Sequence, residues 1–497
     1  MALFAMALAV FVVANDFTAL SVALPQMEGD LDADVGTIQW VINAYALVFG
    51  VFIITGGRLA DLFGRRRMFF VGAGIFGFFS LLAGAAPSAE LLIAARALMA
   101  IGGAMMWPAV VGLAFAILPP SKAGLAGGLI LGVSGIGNAF GPLLGGFLTD
   151  ELSWRWVLFL NVPIALLAVT VTYLKVRGDR PEHRDERIDY AGTALLSIAL
   201  VALLVALDQV TDWGWTSPAT IGLLAVFLAG LALLRPVERR AGRNALLARD
   251  VLSNRQFTAA CFATFFMSMT FFALLVYAPQ YMVKVLDFSA LEAGLGFLPL
   301  MGVFGATSFA AGPLYNRVGG RLLLIVGAAC IPVGTLLVTL APVDGTYADL
   351  IPGLAIAGVG VGLFYSALTT AAITVLDQAR SSLGGGILYM FQVVGGSIGL
   401  GLTTTVFTSV ADDHVSASAI AGRLSAEEER AVGQVLSGTD TAQQLLARLP
   451  DAAAELERIA REAFVAGVHA GLRVDVALAL VALGIVVVFM HPARPDR

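Results

Sequence analysis

The chain has 497 residues, of which 58% are apolar and 13% are charged, whereas charged residues make up about 25% of a typical globular domain. A mean hydropathy of +0.87 and a net charge of only −5 exclude a nucleic-acid-binding protein, a disordered scaffold and an ordinary soluble enzyme. The two cysteines, Cys261 and Cys330, lie in separate apolar runs, so we expect no disulfide, no metal site and no other cofactor.

Apolar runs long enough to cross a bilayer recur fourteen times along the chain. A membrane-spanning helix needs about 20 apolar residues, because the hydrocarbon core is about 30 Å thick. The sequence therefore predicts an all-α polytopic membrane protein with 14 transmembrane helices. We expect the first run to be a retained span, since no basic segment precedes it and no convincing cleavage site interrupts it. The runs cover residues 3–24, 38–57, 68–86, 91–117, 124–148, 156–174, 189–208, 218–234, 257–282, 290–313, 321–341, 349–375, 383–408 and 471–490.

Basic residues collect in alternate loops, which predicts the orientation of the chain. With the N-terminus inside, segments 58–67, 175–187 and 235–255 carry most of the Arg residues, whereas the short outside loops carry only Arg155 and Lys284. We therefore expect both termini in the cytoplasm. The abundance of Arg, Ala and Gly is typical of a GC-rich bacterial genome, so we expect the plasma (inner) membrane of a bacterium.

Two loops with similar sequences lie in matching positions, at residues 57–67 and 312–321. Transporter folds are commonly built from internal repeats, so we expect two six-helix pseudo-repeats and two inserted helices. In the polar outer segment we expect two short helices, near 431–436 and 445–464. The predicted parts are an N-terminal six-helix bundle (1–174), two inserted transmembrane helices with cytoplasmic linkers (175–255), and a C-terminal six-helix bundle (256–497) that includes a long extracytoplasmic loop (409–470).

Five sequence motifs together resemble those of the major facilitator superfamily, specifically its fourteen-span drug:proton antiporter branch. The resemblance covers nearly the whole chain, and the second copy of the loop motif has Asn316 where the pattern has Asp. The motifs are G-x-L-A-D-x-x-G-R-R at 57–66, D-x-T-x-x-x-x-A-L-P at 16–25, W-x-x-x-A-Y at 40–45, W-R-W-x-x-x-x-N-x-P at 154–163, and G-x-x-x-G-P-x-x-G-G at 137–146.

Asp16 lies about 20 Å along the first run at 1.5 Å per residue. An ionised carboxylate is costly in hydrocarbon and usually marks a functional group, and burial that disfavours its charged form allows reversible protonation. The resemblance implies a proton-coupling site, with Arg96 of the fourth span as its partner. Two alternatives stay open at this stage. In the first, Asp16 only fixes packing by hydrogen bonding to Asn15 or Thr18. In the second, the Arg96 side chain extends to the membrane interface.

The first loop has the composition of a conformational clamp, in which Gly57 and Gly64 allow close approach and a carboxylate meets a cation or a helix N-terminus. The resemblance implies a latch between bundles that holds in the outward-open state and breaks on inward opening. The alternative is a basic loop that only sets the topology. The predicted clamp residues are Gly57, Asp61, Gly64, Arg65 and Arg66.

The fifth span resembles the antiporter signature, and its small residues at four-residue spacing allow close helix packing while a proline bends the helix. We expect a hinge there, with ordinary glycine packing as the alternative. We further expect Asn138, Phe265 and Gln392 to line a substrate cavity, although span 9 phenylalanines such as Phe265 equally suit contact with lipid. The predicted hinge residues are Gly137, Gly141, Pro142, Gly145 and Gly146.

The sequence as a whole predicts a secondary active transporter that exports small hydrophobic or amphipathic compounds, such as drugs, in exchange for protons by alternating access. This reading implies multidrug efflux and antibiotic resistance. The expected partners are the small-molecule substrate, protons and the lipid bilayer, with no nucleic acid and no obligate protein partner indicated. The alternative is a proton symporter or facilitator that imports a metabolite. A membrane-embedded enzyme is disfavoured by the presence of only four His residues, and a non-transporting receptor is a further alternative.

Overall fold

Inside hydrocarbon, every backbone N–H and C=O has to be hydrogen-bonded within the protein, which favours helices. The computed structural model describes residues 2–33, 35–176, 189–242, 245–247, 249–418, 432, 435–437, 446–448 and 452–490. Its helices of four or more residues are α1 (Ala2–Ala19), α2 (Leu24–Leu31), α3 (Val35–Phe63), α4 (Arg65–Gly84), α5 (Ala89–Ile117), α6 (Ala123–Glu151), α7 (Arg155–Lys175), α8 (Tyr190–Trp213), α9 (Pro218–Ala241), α10 (Arg249–Leu252), α11 (Arg255–Lys284), α12 (Ala290–Gly296), α13 (Leu298–Val318), α14 (Gly320–Val338), α15 (Tyr347–Thr374), α16 (Ser381–Ser416) and α17 (Ala453–Phe489).

The number of membrane spans matches the sequence. In the described part of the chain, fourteen helical segments are long and apolar enough to cross a membrane; α12 joins α13 in one of them, and α2 and α10 are too short. The predicted fold class, an all-α polytopic protein with 14 transmembrane helices, is therefore confirmed.

The helices pack in two groups of six spans. In one group α1 packs on α6 and α7, α3 on α5, and α4 on α5 and α7; in the other α11 packs on α16 and α17, α13 on α15, and α14 on α15 and α17. We call α1–α7 the first bundle and α11–α17 the second bundle. They meet where α6 packs on α13 and α15, and where α3 and α5 pack on α16. The inserted pair, α8 and α9, packs together, and α8 also packs on α3 and α16.

The two similar loops have the same backbone device. Gly64 (φ 97°) separates α3 from α4, and Gly319 (φ 90°) separates α13 from α14. A positive φ of this kind is readily adopted only by glycine, so each glycine ends one span and starts the next without a long loop. We call the end of the molecule that contains Gly64 and the start of α16 the basic end, because Arg65 lies there, and the other end the opposite end.

The first span ends earlier than the sequence indicates. The predicted run 3–24 is helical only to Ala19, and a turn then leads into α2, whose first turn contains Pro25. Proline has no backbone N–H and clashes with a preceding helical turn, so the chain breaks before it and restarts with proline at the helix N-terminus.

The last two spans are longer than their apolar runs. Helix α16 continues beyond 408 to Ser416, and α17 already begins at Ala453, so both ends of the segment 409–470 are helical continuations of spans. The helix expected at 445–464 is for the most part the first turns of α17, where Leu456 and Ile459 pack on Val415. Of the helix expected at 431–436, three residues lie outside the described residues, and Val435–Ser437 form a single 3-10 turn.

We predict that the basic end faces the cytoplasm. In a variant without Cys261 and Cys330, a cysteine at Ala421, between α16 and α17, should react with a membrane-impermeant maleimide added to intact cells. A cysteine at Arg240, on the exposed last turn of α9, should react only after the membrane is permeabilised. Labelling of Arg240 but not Ala421 in intact cells would contradict this orientation.

Candidate functional site

A buried ion pair joins α1 and α5. Arg96 Nη1 donates to Asp16 Oδ2 at 2.5 Å, and the two side chains are 1% and 0% exposed. The second carboxylate oxygen, Oδ1, accepts from Asn161 Nδ2 of α7 at 2.8 Å. Both oxygens of Asp16 therefore have a donor, and the structure brings the two predicted coupling residues together.

Arg96 is held from several sides, so it does not extend to the membrane surface. Its Nε donates to the Val41 carbonyl oxygen of α3 at 3.1 Å, and its guanidinium carbon lies 4.2 Å from the centroid of the Tyr45 ring. Its Nη1 is also 3.5 Å from Met99 Sδ. A cation over an aromatic face is stabilised by the ring quadrupole, so α3 contributes to holding the charge that α1 neutralises.

The same polar network extends to α4 through Asn161. The Asn161 Nδ2 atom also donates to Ser80 Oγ at 3.3 Å, and Ser80 Oγ donates to the Leu158 carbonyl oxygen at 2.7 Å. Five helices of the first bundle, α1, α3, α4, α5 and α7, thus meet in one buried network. In a low-dielectric interior, the hydrogen bonds of a network strengthen one another. A change at Asp16 therefore affects the packing of the whole bundle.

The predicted clamp residues Asp61 and Arg65 cross from the first bundle to the start of α16. Asp61 accepts from the backbone N–H of Leu383 at 2.8 Å and of Ser382 at 3.3 Å. These are orphan N–H groups of a helix N-terminus, which carries a partial positive charge. Gly57 makes room for this contact, since a Cβ there would lie 2.6 Å from the Ser382 carbonyl oxygen.

Arg65 completes the contact between the bundles. Its Nε donates to Asp61 Oδ1 at 3.3 Å and to Ser382 Oγ at 3.1 Å, and its Nη2 donates to the Gln378 carbonyl oxygen. Arg66 contacts a different helix: it donates to the Tyr173 carbonyl oxygen of α7 at 2.9 Å. The structure therefore brings Gly57, Asp61 and Arg65 to α16 and packs Arg66 within the first bundle.

The second copy of the loop motif differs in burial as well as in charge. Asn316, three residues before Gly319, is exposed, whereas Asp61, three residues before Gly64, is buried. The two copies share a backbone turn but only the first forms the polar contact described above.

The glycines of α6 form a close contact with α1. A Cβ at Gly137 would lie 3.0 Å from Ala14 Cβ, one at Gly141 would lie 3.0 Å from Ala19 N, and one at Gly145 would lie 2.8 Å from the Ala19 carbonyl carbon. Gly146 differs, because nothing lies within 4 Å of a Cβ there. Three of the four predicted hinge glycines therefore serve the α1 contact.

The proline in α6 is linked to α1 by a hydrogen bond. Pro142 has no N–H to donate to the Asn138 carbonyl oxygen four residues earlier. That oxygen instead accepts from Thr18 Oγ1 at 3.2 Å. Thr18 lies two residues after Asp16, so the Asn138 carbonyl oxygen beside Pro142 and the carboxylate network are bonded by the same stretch of α1.

A second glycine face of α6, which the sequence analysis did not single out, packs on α13. A Cβ at Gly124 would lie 2.6 Å from the Gly312 carbonyl oxygen, and one at Gly128 would lie 2.7 Å from the Ser308 carbonyl oxygen. The four-residue spacing of Gly124, Gly128 and Gly132 is the small-residue pattern of close helix pairs, so the signal was present in the sequence.

A cavity of about 360 Å³ lies between the bundles. Towards the basic end α3 and α16 are in contact, where a Cβ at Gly50 would lie 3.2 Å from Val393 Cγ1. Beyond that contact the two helices separate around the cavity, and α8 supplies a third wall. The lining residues are Trp40, Asn43, Ala46, Leu47, Leu204, Leu207, Phe272, Val393, Ser397, Leu400, Gly401 and Thr404.

None of the three predicted cavity residues is among the described residues that line this cavity. Gln392 lines a smaller void of about 30 Å³ together with Trp107 and Tyr389. Phe265 packs edge-on against Phe266, with ring centroids 5.3 Å apart, and its main chain contacts Gly395. Asn138 contributes the carbonyl oxygen that accepts from Thr18.

A buried ion pair inside a membrane-spanning bundle and a cavity between two such bundles are the features expected of a polytopic helical transporter. The chain belongs to the Major Facilitator Superfamily, whose family model matches residues 6–400. The predicted family is confirmed, and the protein is a multi-pass membrane transporter rather than an enzyme.

Relatives with related functions cover most of the chain. It is 35% identical to the puromycin resistance protein of Streptomyces alboniger over 79% of this chain and 78% of that protein. It is 28% identical to the tetracenomycin C resistance and export protein of Streptomyces glaucescens over 100% of this chain and 92% of that protein. It is 29% identical to the multidrug resistance protein Stp of Mycobacterium tuberculosis strain CDC 1551 over 82% of this chain and 75% of that protein.

The fold is also similar to a solved structure. The human organic anion transporter MFSD10 superposes with a TM-score of 0.63 over 97% of this chain and 98% of that one. The sequence identity is 13%, so this likeness concerns the fold alone.

We predict that Gly145→Ala destabilises the protein, whereas Gly146→Ala does not. The added methyl group at Gly145 meets the Ala19 backbone, and overpacking of this kind costs about 1–3 kcal/mol; at Gly146 it meets open space. Thermal unfolding in detergent, followed by tryptophan fluorescence, measures the difference. Equal unfolding temperatures for the two variants would contradict the close α1–α6 contact.

Proposed function

We propose that this protein exports small hydrophobic or amphipathic compounds across a bacterial plasma membrane in exchange for protons. The observation that carries the proposal is the Asp16–Arg96 pair, which is enclosed on all sides within a membrane-spanning bundle. Two of the relatives described above are named for resistance to an antibiotic and one of them also for its export, which supports outward transport.

Protonation of Asp16 changes the energy of the first bundle enough to shift a conformational equilibrium. A neutral carboxyl no longer balances Arg96, and an uncompensated charge left in a buried pair costs about 3–5 kcal/mol. Since 1.4 kcal/mol is about a factor of ten in an equilibrium, this energy is enough to change the ratio of two conformations by about a hundredfold or more. The proton would thus favour a state in which α1 and α5 are arranged differently.

The clamp at the basic end would stabilise one of those conformations. With the basic end in the cytoplasm, the contacts of Asp61 and Arg65 with α16 hold the inner side closed, and the cavity lies towards the outside. On this hypothesis the structure represents the outward-facing state of the transporter. Inward opening then requires that the Asp61 and Arg65 hydrogen bonds break at the aqueous edge, where water can replace them.

The cavity suits an amphipathic compound. Its volume of about 360 Å³ lies within the usual range of small-molecule sites, about 300–1,000 Å³. Leucines and Phe272 give it an apolar wall, while Asn43, Ser397 and Thr404 offer a few hydrogen-bonding groups. The small void beside Gln392 lies among aromatic side chains and would accept part of a substrate only after they move.

The α6 glycines would let the bundles rearrange. One face of α6 packs on α1 through Gly137, Gly141 and Gly145, and the other packs on α13 through Gly124 and Gly128. Helix α6 therefore joins the helix that carries Asp16 to the second bundle. We infer that a shift of α1 on protonation is transmitted through α6, with Pro142 as the bend.

Transport in proteoliposomes tests the proposal. With an acidic lumen, a proton antiporter should accumulate a fluorescent amphipathic compound in the lumen, whereas a proton symporter should expel it. A permanently charged compound and protein-free liposomes control for trapping of weak bases. Accumulation that does not respond to the imposed pH gradient would contradict proton coupling.

We predict that Asp16→Asn abolishes gradient-driven accumulation. The amide keeps an oxygen for Arg96 but binds no proton, and a gradient can drive transport only through a ligand that binds the two states differently. Exchange of labelled substrate across vesicles without a gradient should persist, because that process needs no proton.

A matched variant separates this effect from a general loss of charge. Asp30→Asn removes a carboxylate that accepts from Trp154 Nε1 at 3.0 Å near the opposite end and should leave the response to the gradient intact. Uphill accumulation by Asp16→Asn at the wild-type proton cost would rule out Asp16 as the coupling residue.

We predict that Asp61→Asn impairs transport about tenfold or more, whereas Asn316→Ala has little effect. Hydrogen bonds to a charged group contribute about 1.5–3 kcal/mol, and Asp61 receives two from α16 across the bundle contact, while Asn316 is exposed. Initial rates, normalised to protein in the membrane, measure the effect. Equally large losses in both variants would contradict the asymmetry between the two loops.

A further inference from the structure

A second carboxylate is buried in the membrane, in the second bundle. Asp475 of α17 is 0% exposed, and its Oδ2 lies 2.7 Å from Thr403 Oγ1 of α16. On the other side, Thr270 Oγ1 of α11 donates to the Asp475 carbonyl oxygen at 2.8 Å. Asp475 therefore lies at the junction of three helices of the second bundle.

Its surroundings differ from those of Asp16, because the described residues give it no cationic partner. Asp475 Oδ1 is buried and has no hydrogen-bond partner. On α11 the titratable group close enough to interact with it is Tyr277. Helix α16 has no charged residue between 390 and 411, and Cys330 is the one titratable residue of α14 between 322 and 338.

On α17 itself, the neighbouring titratable groups do not neutralise Asp475. The Arg473 residue is exposed, and side chains two residues apart on a helix do not face each other. His469 lies six residues earlier, with its ring 6.5 Å from that of Tyr281. An isolated ionised carboxylate in hydrocarbon is very costly, so these surroundings favour a neutral Asp475.

The number of hydrogens available for hydrogen bonding around Thr403 independently favours a protonated Asp475. The hydroxyl of Thr403 lies 2.7 Å from Asp475 Oδ2 and 2.8 Å from the Gly399 carbonyl oxygen, but a hydroxyl has a single hydrogen to donate. The Gly399 oxygen has no hydrogen to give. Two separate hydrogen bonds form when Asp475 Oδ2 carries a proton and donates it to Thr403 Oγ1 while Thr403 donates to Gly399; with an ionised Asp475, the single Thr403 hydrogen would be shared between two acceptors.

The position of this group connects it to the cavity. Thr403 is followed by Thr404, which lines the cavity and accepts from Tyr277 Oη at 2.8 Å. Leu400 and Gly401 of the same turn line the cavity too. A change in the Asp475–Thr403 contact therefore moves a turn of α16 that forms the cavity wall.

We propose that Asp475 is a second proton-binding site, which holds its proton in this conformation and releases it to water when α16 and α17 rearrange. The use of this proton in the transport cycle rests on the proposed function; its presence on Asp475 does not. Loss of the proton would leave a buried charge with one donor, Thr403, and so would disfavour the arrangement seen here.

Infrared difference spectroscopy of the full-length protein tests the site directly, because the C=O stretch of a protonated carboxyl is distinct from the bands of a carboxylate. At neutral pH the wild type should show a buried protonated carboxyl that is missing in Asp475→Asn and present in Asp16→Asn. Thr403→Val should shift the same band, since it removes the acceptor of the Asp475 proton. This second variant keeps the test decisive if Asp475→Asn folds poorly.

Transport then tests the use of the proton. The number of protons exchanged per substrate should fall in Asp475→Asn, as the amide is a fixed mimic of the neutral acid. A carboxyl band that persists in Asp475→Asn and is unmoved by Thr403→Val would overturn the proposal. Failure of the Asp16 coupling experiments with the Asp475 band intact would instead count against the proposed function alone.

Discussion

A charge in hydrocarbon has to be paired or neutralised, and the two bundles meet this constraint in different ways. In the first bundle Asp16 is balanced by Arg96 and receives a second hydrogen bond from Asn161. In the second bundle Asp475 has a hydroxyl, Thr403, in place of a cation. The first arrangement supplies donors to both carboxylate oxygens, and the second offers a hydroxyl that can accept from a protonated carboxyl. The two bundles thus satisfy the same residue type with different partners, a cation in one and a hydroxyl in the other.

The cost of leaving charged or polar groups unpaired in hydrocarbon also explains where the two bundles make polar contacts and where they make small-residue contacts. Within the membrane the bundles touch through glycines of α6 and α3, as at Gly128 and Gly50, and through aromatic rings, as where Trp107 lies against Tyr389. Contacts of this kind separate without leaving unsatisfied polar groups in lipid. The strong polar contact between the bundles, that of Asp61 and Arg65 with α16, lies at the end of the spans, where water can take over the hydrogen bonds. Opening at the basic end is therefore energetically feasible.

Much of the fold could be predicted because its signal is local. Fourteen apolar runs give fourteen spans, and a carboxylate such as Asp16 in such a run stands out by itself. The partners Tyr45 and Asn161 depend on which helices are neighbours, which no single run specifies. Arg65 and Arg66 are adjacent in the sequence, but consecutive residues of a helix point about 100° apart, so only the packing decides that Arg65 reaches α16.

Asp475 shows how a boundary error hides a site. The apolar run 471–490 places it near the edge of a span, where a carboxylate is unremarkable, but α17 begins at Ala453 and buries it completely. The early turns are too polar to read as membrane-spanning, yet they bury Leu456 and Ile459 against the end of α16. Tertiary packing thus extends the helix beyond its hydropathic limits, and the depth of Asp475 follows from that extension.

Two polar contacts attach the inserted pair and its linker to the second bundle. At the opposite end, Trp215 Nε1 donates to Thr405 Oγ1 of α16 at 2.7 Å. At the basic end, Asp250 of the linker pairs with Arg380 just before α16 at 3.2 Å. Asp250 is exposed, so this pair alone contributes at most about 1 kcal/mol.

At the basic end Glu238 of α9 interacts electrostatically with Arg58 of α3, but near the cavity the contact of the inserted pair with the first bundle has a different character. Leu204 of α8 lies against Gly50 of α3, where an added Cβ would be 3.5 Å from the Leu204 Cδ1 atom. An apolar contact of this kind is non-directional and tolerates sliding, whereas the hydrogen bond of Trp215 does not. Near the cavity, α8 is therefore expected to stay with α16 when the bundles move apart, so that Leu204 and Leu207 remain part of the cavity wall while α3 moves past them.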